Sequence, residues 1–273
     1  MKYTIAHSEI DVLAPFIYKL TGVMLDYSKA YLFETRLGPI LEAYSIPDFK
    51  GLISSIALNR KIEHEVIDAI TTQETLFFRD KSPFEYIQNK FFPDFFEEKG
   101  MNAHLRVWSA ASSTGQEIYS IAMALQNILF DLSKYNTHLL ATDISDEALR
   151  KASMGRYNKF ELSRGLDAKV LHKYFNNEEE TWKIKDEIRQ AVHFKQQNLL
   201  KPFTAIPKQN LIFCRNVAIY FSREDRQKLY DNLANQLEEN GVLIISSTES
   251  LIGICDRFQK EQFHNAVFYR KIK

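Results

Sequence analysis

Residues 105–117, L-R-V-W-S-A-A-S-S-T-G-Q-E, decide the fold. The first six are an apolar run of strand length, and the small residues and Gly115 that follow permit a tight turn into a helical stretch over 117–130. A second strand is predicted at 139–142, L-L-A-T; Asp143 follows it, and Ser145 stands as N-cap of a helix from Asp146. Strand, helix, strand, helix implies an α/β fold with a parallel sheet and right-handed crossovers.

Working outward, 211–214 is a further strand, and Ser222 with Asp225 opens a helix over 223–239, with Gly241 expected just past its end. Residues 242–247 and 266–271 supply closing strands, the second antiparallel at an edge. Between the halves, residues 174–194 alternate Trp182, Ile184, Ile188, Val192 and Phe194 with polar residues, which predicts a small β insertion on the sheet. Its acidic run at 178–180 reads as a solvated turn. Upstream, over 8–89, apolar residues recur at helical spacing, as in Val12, Phe16, Leu20 and in Leu32, Leu37, Ile40, Leu41, giving an all-helical N-terminal unit. Ser82 before Pro83 is the expected N-cap of the helix that leads into the second domain.

The 273 residues are 45% hydrophobic and 26% charged, which fits a folded chain rather than a disordered one. With 35 basic against 35 acidic residues there is no overall attraction to nucleic acid or to anionic lipid. No apolar run approaches the ~18 residues that span a bilayer, and His7, Glu9 and Asp11 interrupt the first stretch where a signal peptide would be apolar, so a cytoplasmic protein is expected. Cys214 and Cys255 lack a CxxC partner and read as reduced thiols, and the seven histidines show no metal-site spacing.

In an open α/β sheet ligands bind beyond the carboxyl ends of the strands. There the turn over 111–117 offers close backbone approach and a helix N-terminus, although an ordinary strand-to-helix turn looks the same. Asp143 stands where an acidic residue accepts hydrogen bonds from two ribose hydroxyls, a position equally suited to a helix-capping acid. One glycine, Gly115, in place of the three of a dinucleotide fingerprint favours a ligand with ribose and no phosphate and disfavours a nicotinamide enzyme. S-adenosylmethionine is such a ligand.

T-Q-E-T-L-F-F-R at 72–79, W-S-A-A-S-S-T-G-Q-E-I-Y-S-I-A at 108–122, A-T-D-I-S at 141–145, N-L-L at 198–200, F-C-R-N-V-A-I-Y-F at 213–221 and S-T-E-S at 247–250 together resemble the chemotaxis receptor methyltransferases, the CheR family. The resemblance implies a helical N-terminal substrate-recognition domain at 1–80. It implies a class I, Rossmann-like, S-adenosylmethionine-dependent methyltransferase domain at 81–273, with a β subdomain inserted at about 172–196. The implied activity is transfer of a methyl group to glutamate carboxylates in the cytoplasmic domain of methyl-accepting chemotaxis receptors, leaving S-adenosylhomocysteine. Cofactor contacts then fall on Gln73, Thr75, Arg79, Gly115, Glu117, Asp143, Asn198, Leu199, Arg215, Asn216 and Tyr220, with Arg79 and Tyr220 beside the reacting methyl group. The N-terminal helices would meet acidic receptor helices, with Lys29, Arg36, Arg60 and Lys61 as candidates, although in a chain of zero net charge a solvated face is the commoner role for any one of them. The family turn usually reads closer to S-A-G-C-S-T-G-E-E-P-Y-S; here Ala111 and Ser112 replace Gly-Cys, Gln116 the first glutamate and Ile118 the proline. Residues 176–181 hold no glycine, where members that dock on a receptor's C-terminal peptide have a Gly-containing loop, so independence from a tethering peptide is expected; the resemblance itself implies a monomer. A cofactor-binding scaffold without transfer, and a methyltransferase for another protein or a small carboxylic acid, are the alternatives.

Overall fold

The computed structural model describes residues 3–272. Four helices, α1 (His7–Thr21), α2 (Ala30–Ala43), α3 (Phe49–Leu58) and α4 (Arg60–Ile70), enclose a core of their own from Leu13, Ile17, Phe33, Leu37, Leu41, Leu52 and Val66. In α1 the helical period holds and its phase shifts. Ile10, Leu13 and Ile17 face the core and Val12 is 51% exposed, because two apolar stripes overlap on this helix and the sequence does not say which one is covered.

An extended segment crosses to α5 (Ser82–Tyr86), which runs on through a π-helical turn, Ile87–Phe91, into α6 (Phe92–Lys99). Ser82 is not the N-cap: Lys81 occupies that position with φ 48° and makes no side-chain cap, while Pro83 sits in the first turn, where its missing N–H costs nothing. The chain then builds β1 (Leu105–Ala110), α7 (Gln116–Leu129), β2 (Thr137–Asp143), α8 (Asp146–Met154), β3 (Arg156–Asn158), α9 (Lys159–Ser163), α10 (Ala168–Tyr174), β4 (Phe175–Glu178), β5 (Thr181–Ile184), α11 (Asp186–Arg189), β6 (Val192–Gln196), β7 (Gln209–Cys214), α12 (Arg223–Gln236), β8 (Leu237–Ile244), β9 (Phe258–Phe263) and β10 (Ala266–Lys271).

The central sheet has the order β6-β2-β1-β7-β8-β10-β9, with the first five strands parallel and the last two antiparallel. Ala110 pairs with both Thr142 and Cys214, so β1, β2 and β7 end level. There the order of strands reverses, and a cleft opens between diverging loops. One face is covered by α5 and α7 through Phe84, Tyr86, Ile118, Ile121 and Leu125, the other by α12 through Leu229 and Leu233. Each such buried side chain contributes about 1.5–3 kcal/mol. The fully buried Trp108 donates Nε1–H to Thr142 Oγ1 (2.9 Å), so its one polar atom is satisfied.

Several expectations need correction. The small sheet is β3-β5-β4, so it begins at Arg156 rather than near 172, and β6, with Val192 and Phe194, belongs to the central sheet as its edge strand. Alternation identifies a strand but not its sheet, and Ile188 lies in α11. Gly241 does not end α12; that helix stops at Gln236, and Asn240 (φ 59°) makes the left-handed bend inside β8. The edge beside β10 is taken by β9.

His138 on β2 stacks on His193 of β6 (centroids 4.8 Å, 15°), and its Nδ1 is buried without a partner among the described residues. Burial, with the neighbouring His193, His104 and Arg106, holds its pKa below the ordinary 6.5. The fold therefore binds the neutral ring. Well above pH 6.5 neither state is protonated; as pH falls through that value the unfolded chain takes up the proton first and stability drops. Chemical denaturation between neutral and mildly acid pH will show a smaller loss for His138→Gln than for the wild type. No helix of the described residues is long and apolar enough to cross a membrane.

Candidate active site

In the loop leaving β1, Ala111 (φ 63°), Ser113 (φ 50°) and Gly115 (φ 95°) all take left-handed conformations within five residues. For alanine and serine such backbone is strained and persists where surrounding contacts over-determine it. Those contacts are present. Ser112 N–H donates to Thr142 O (2.8 Å), Ser113 N–H donates to Asp143 Oδ2 (2.8 Å), and the Ser113 hydroxyl donates to Gln73 Oε1 (2.9 Å). Asp143 Oδ1 accepts from Ser145 N–H (3.0 Å), and Ser145 caps α8 by accepting from Ala148 N–H (3.0 Å). Asp143 is 6% exposed, and burial pushes its carboxyl above the usual range against the pull of these backbone donors.

Across the cleft, Arg215 follows β7 with its side chain 1% exposed. Its guanidinium donates to Glu117 Oε2 (3.0 Å), Asp80 Oδ2 (2.7 Å) and Arg79 O (2.9 Å), and Glu117 also accepts from the Ser109 hydroxyl (2.8 Å). A buried arginine bonded in this way fixes the segment 79–80 against the start of α7, since losing either partner would leave a charge stranded in the core.

Gln73, Thr75, Arg79, Glu117, Asp143, Asn198, Leu199, Arg215, Asn216 and Tyr220 line one cleft of ≈ 980 Å³, its open mouth included. Gly115 is absent from that lining. A Cβ there would meet Ala152 Cβ at 2.9 Å and the Tyr157 hydroxyl at 3.1 Å, so Gly115 lets α8 and the small sheet pack against the start of α7. Asn216 and Arg215 reach the cleft but spend their side chains on protein, Asn216 Nδ2–H donating to Ser246 Oγ (2.9 Å).

The sequence reading missed a wall made by the end of α1. Thr21, Val23 and, from the other domain, Phe221 line the cleft. The wall is fastened by Asn198 Nδ2–H donating to Leu20 O (2.9 Å), by Met24 N–H donating to Tyr220 O (3.3 Å), and by Tyr18, whose hydroxyl donates to Asp225 and accepts from Ser222 N–H (3.2 Å). A Thr-Gly pair closing a helical pattern was the available signal. Of the basic candidates, Arg36 donates to the carbonyls of Ala69 (3.4 Å) and Ile70 (2.8 Å) and so caps α4; Lys29 Nζ donates to Met24 O (3.2 Å) and Lys61 lies 3.9 Å from Glu65.

The residues fit S-adenosylmethionine. A buried carboxylate with no cation bonded to it, receiving one backbone N–H on each oxygen, keeps a lone pair on each for a pair of hydroxyls; Ile144, Leu199 and Val23 offer apolar cover to an adenine. Among the described residues no group of three His, Cys, Asp or Glu could hold a metal ion.

Residues 73–267 match the family described as CheR methyltransferase, SAM binding domain. Chemotaxis protein methyltransferase 1 of Pseudomonas aeruginosa is 33% identical over 270 residues, covering 97% of this chain and 98% of its own. Chemotaxis protein methyltransferase Cher2 of Pseudomonas putida is 35% identical over 263 residues, 93% and 94% of the two chains. Among solved structures, magnesium protoporphyrin IX methyltransferase from Synechocystis with bound SAM is 14% identical with a TM-score of 0.37, over 74% of this chain and 84% of that one, a likeness too slight to add weight. With its site and its near-full-length relatives in agreement, this chain belongs to the CheR methyltransferase family and carries that family's S-adenosylmethionine-binding domain.

Proposed function

We propose that the protein methylates glutamate side chains in the cytoplasmic, helical part of chemotaxis receptors, forming glutamyl methyl esters. One observation carries the reading: the half-buried Arg79 and Tyr220 line the same cleft as the buried Asp143, and the helical N-terminal unit forms one of its walls. When bound, S-adenosylmethionine supplies an electrophilic sulfonium methyl. Asp143 holds the ribose end, Leu199 and Ile144 flank the base, and Glu117, anchored by Arg215, faces the amino-acid end. A glutamate carboxylate is already anionic at neutral pH, so the site needs no general base. Its task is placement, and orientation alone can supply about 7–11 kcal/mol of rate acceleration. Arg79 Nη1–H donates to Glu74 O (3.3 Å), leaving its other donors to orient an incoming carboxylate beside the Tyr220 hydroxyl.

The β4–β5 turn is only Glu179 and Glu180, with Glu178 paired to Arg156. A hairpin this short supports action without a tethering peptide, and we take the protein to act as a cytoplasmic monomer, as its resemblance to the family implies. The relatives are named as chemotaxis methyltransferases, which favours receptors over a small carboxylic acid as substrate. Steady-state methylation of a receptor cytoplasmic fragment tests the assignment. Arg79→Ala is expected to lower kcat/KM for receptor about 10- to 100-fold and Tyr220→Phe about 5- to 10-fold, with cofactor Kd changed less than about threefold. Unaltered receptor kinetics in both variants would remove the assignment.

A further inference from the structure

The turn after β7 is pinned by a side chain to which the reaction gives no part. Asn216 sits at φ 58°, a left-handed conformation that asparagine tolerates and that still needs support. Its backbone N–H donates to Glu249 Oε2 (3.1 Å), and the same oxygen accepts the N–H of Ser246 (3.0 Å), just beyond the end of β8. Asn216 Nδ2–H donates to the Ser246 hydroxyl (2.9 Å). One carboxylate oxygen therefore ties the loop after β7 to the loop after β8.

The other oxygen, Oε1, is buried and has no partner among the described residues. Burial also raises the pKa of this carboxyl against the backbone donors. A half-satisfied buried carboxylate is a poor device for stability, and its presence calls for a different use. What it holds in place is informative. On one side of Asn216, the Arg215 guanidinium is fixed independently by Glu117, Asp80 and Arg79 O. On the other side comes the 3-10 turn Ala218–Tyr220, whose Tyr220 lines the cleft. The cofactor end of the cleft thus has its own anchors, whereas the turn that carries Tyr220 is held at its far end by Met24 N–H, which donates to Tyr220 O (3.3 Å), and at its near end through the conformation of Asn216.

We infer that Glu249 is a positioning residue for methyl transfer: by clamping the Asn216 and Ser246 amides it fixes the turn that presents Tyr220 to the acceptor carboxylate. This rests on the role given to Tyr220 above. Two readouts are needed, hydrogen exchange of residues 213–221 and methylation kinetics on a receptor fragment. In Glu249→Ala, exchange in that segment should rise at least about tenfold while residues 105–117 stay unchanged. The same variant should lose about tenfold or more in kcat with cofactor Kd within about threefold of wild type. Glu249→Gln keeps an acceptor oxygen for both amides and should restore exchange and kcat to within about threefold. Unchanged exchange in Glu249→Ala overturns the inference, as does faster exchange with an unaltered kcat, or a parallel collapse of cofactor binding and thermal midpoint. Transfer absent in the wild type would sink the proposed function and the inference together; transfer present in the wild type and undiminished in Glu249→Ala would sink the inference alone.

Discussion

Asp143→Ala is expected to lower the affinity for S-adenosylmethionine by at least about a hundredfold, because the proposed ribose placement gives this carboxylate two hydrogen bonds, each contributing about 1.5–3 kcal/mol, that disappear together. The same change strands the N–H groups of Ser113 and Ser145, which the carboxylate accepts at 2.8 and 3.0 Å. Each orphaned donor costs about 1–3 kcal/mol, so thermal stability falls as well. Asp143→Asn separates the two effects. Its carbonyl oxygen keeps one backbone N–H satisfied while its amide group confronts the other, so it should lose cofactor affinity nearly as fully and stability less. Calorimetric titration alongside thermal unfolding checks both, and a cofactor Kd within threefold of wild type in Asp143→Ala would contradict the placement of the ribose.

Gly22→Ala is the second large effect, and it lies outside the sheet domain altogether. Gly22 ends α1 at φ 79°, with its N–H donating to Tyr18 O (2.7 Å). A Cβ there would meet Phe221 Cε1 at 2.4 Å and Leu200 Cδ1 at 3.1 Å. The left-handed backbone costs about 1–2 kcal/mol for a residue with a side chain, and overpacking adds about 1–3 kcal/mol. Because Thr21, Val23 and Phe221 line the cleft, moving them apart weakens cofactor binding along with the fold. Gly253 is the control: at φ 71° an added Cβ meets nothing within 4 Å. Gly253→Ala therefore carries positive-φ strain without the clash, and the two variants should differ by about 1–3 kcal/mol in unfolding free energy. Equal losses in both would show that α1 does not wall the cleft as described.

Buried parallel strands read directly as apolar runs, which is why β1, β2 and β7 were legible and why the level ends that open the cleft could be located. The motifs at 72–79, 141–145 and 213–221 bring residues far apart in sequence to those ends, and all the expected site residues but Gly115 line the cleft. Which side of Gly115 is crowded depends on Ala152 and Tyr157, and no local pattern reveals that. The edge strand β9, F-Q-K-E-Q-F, has little apolar alternation because half of its residues are exposed and Phe258 alone of the six is buried. The wall from α1 rests on the Asn198 bond to Leu20, 178 residues away in sequence, and on Phe221 fitting over a bare Gly22. Arg36, read as a docking charge, is drawn instead to the last carbonyls of α4, a choice that tertiary packing makes.

The most direct test of the account is transfer of labelled methyl from S-adenosylmethionine to receptor cytoplasmic fragments by the wild-type protein and by Asp143→Ala. Base-labile label on receptor glutamates with the wild type, absent with the variant, is the predicted result. Tight cofactor binding by the wild type with no label on any receptor fragment would contradict it.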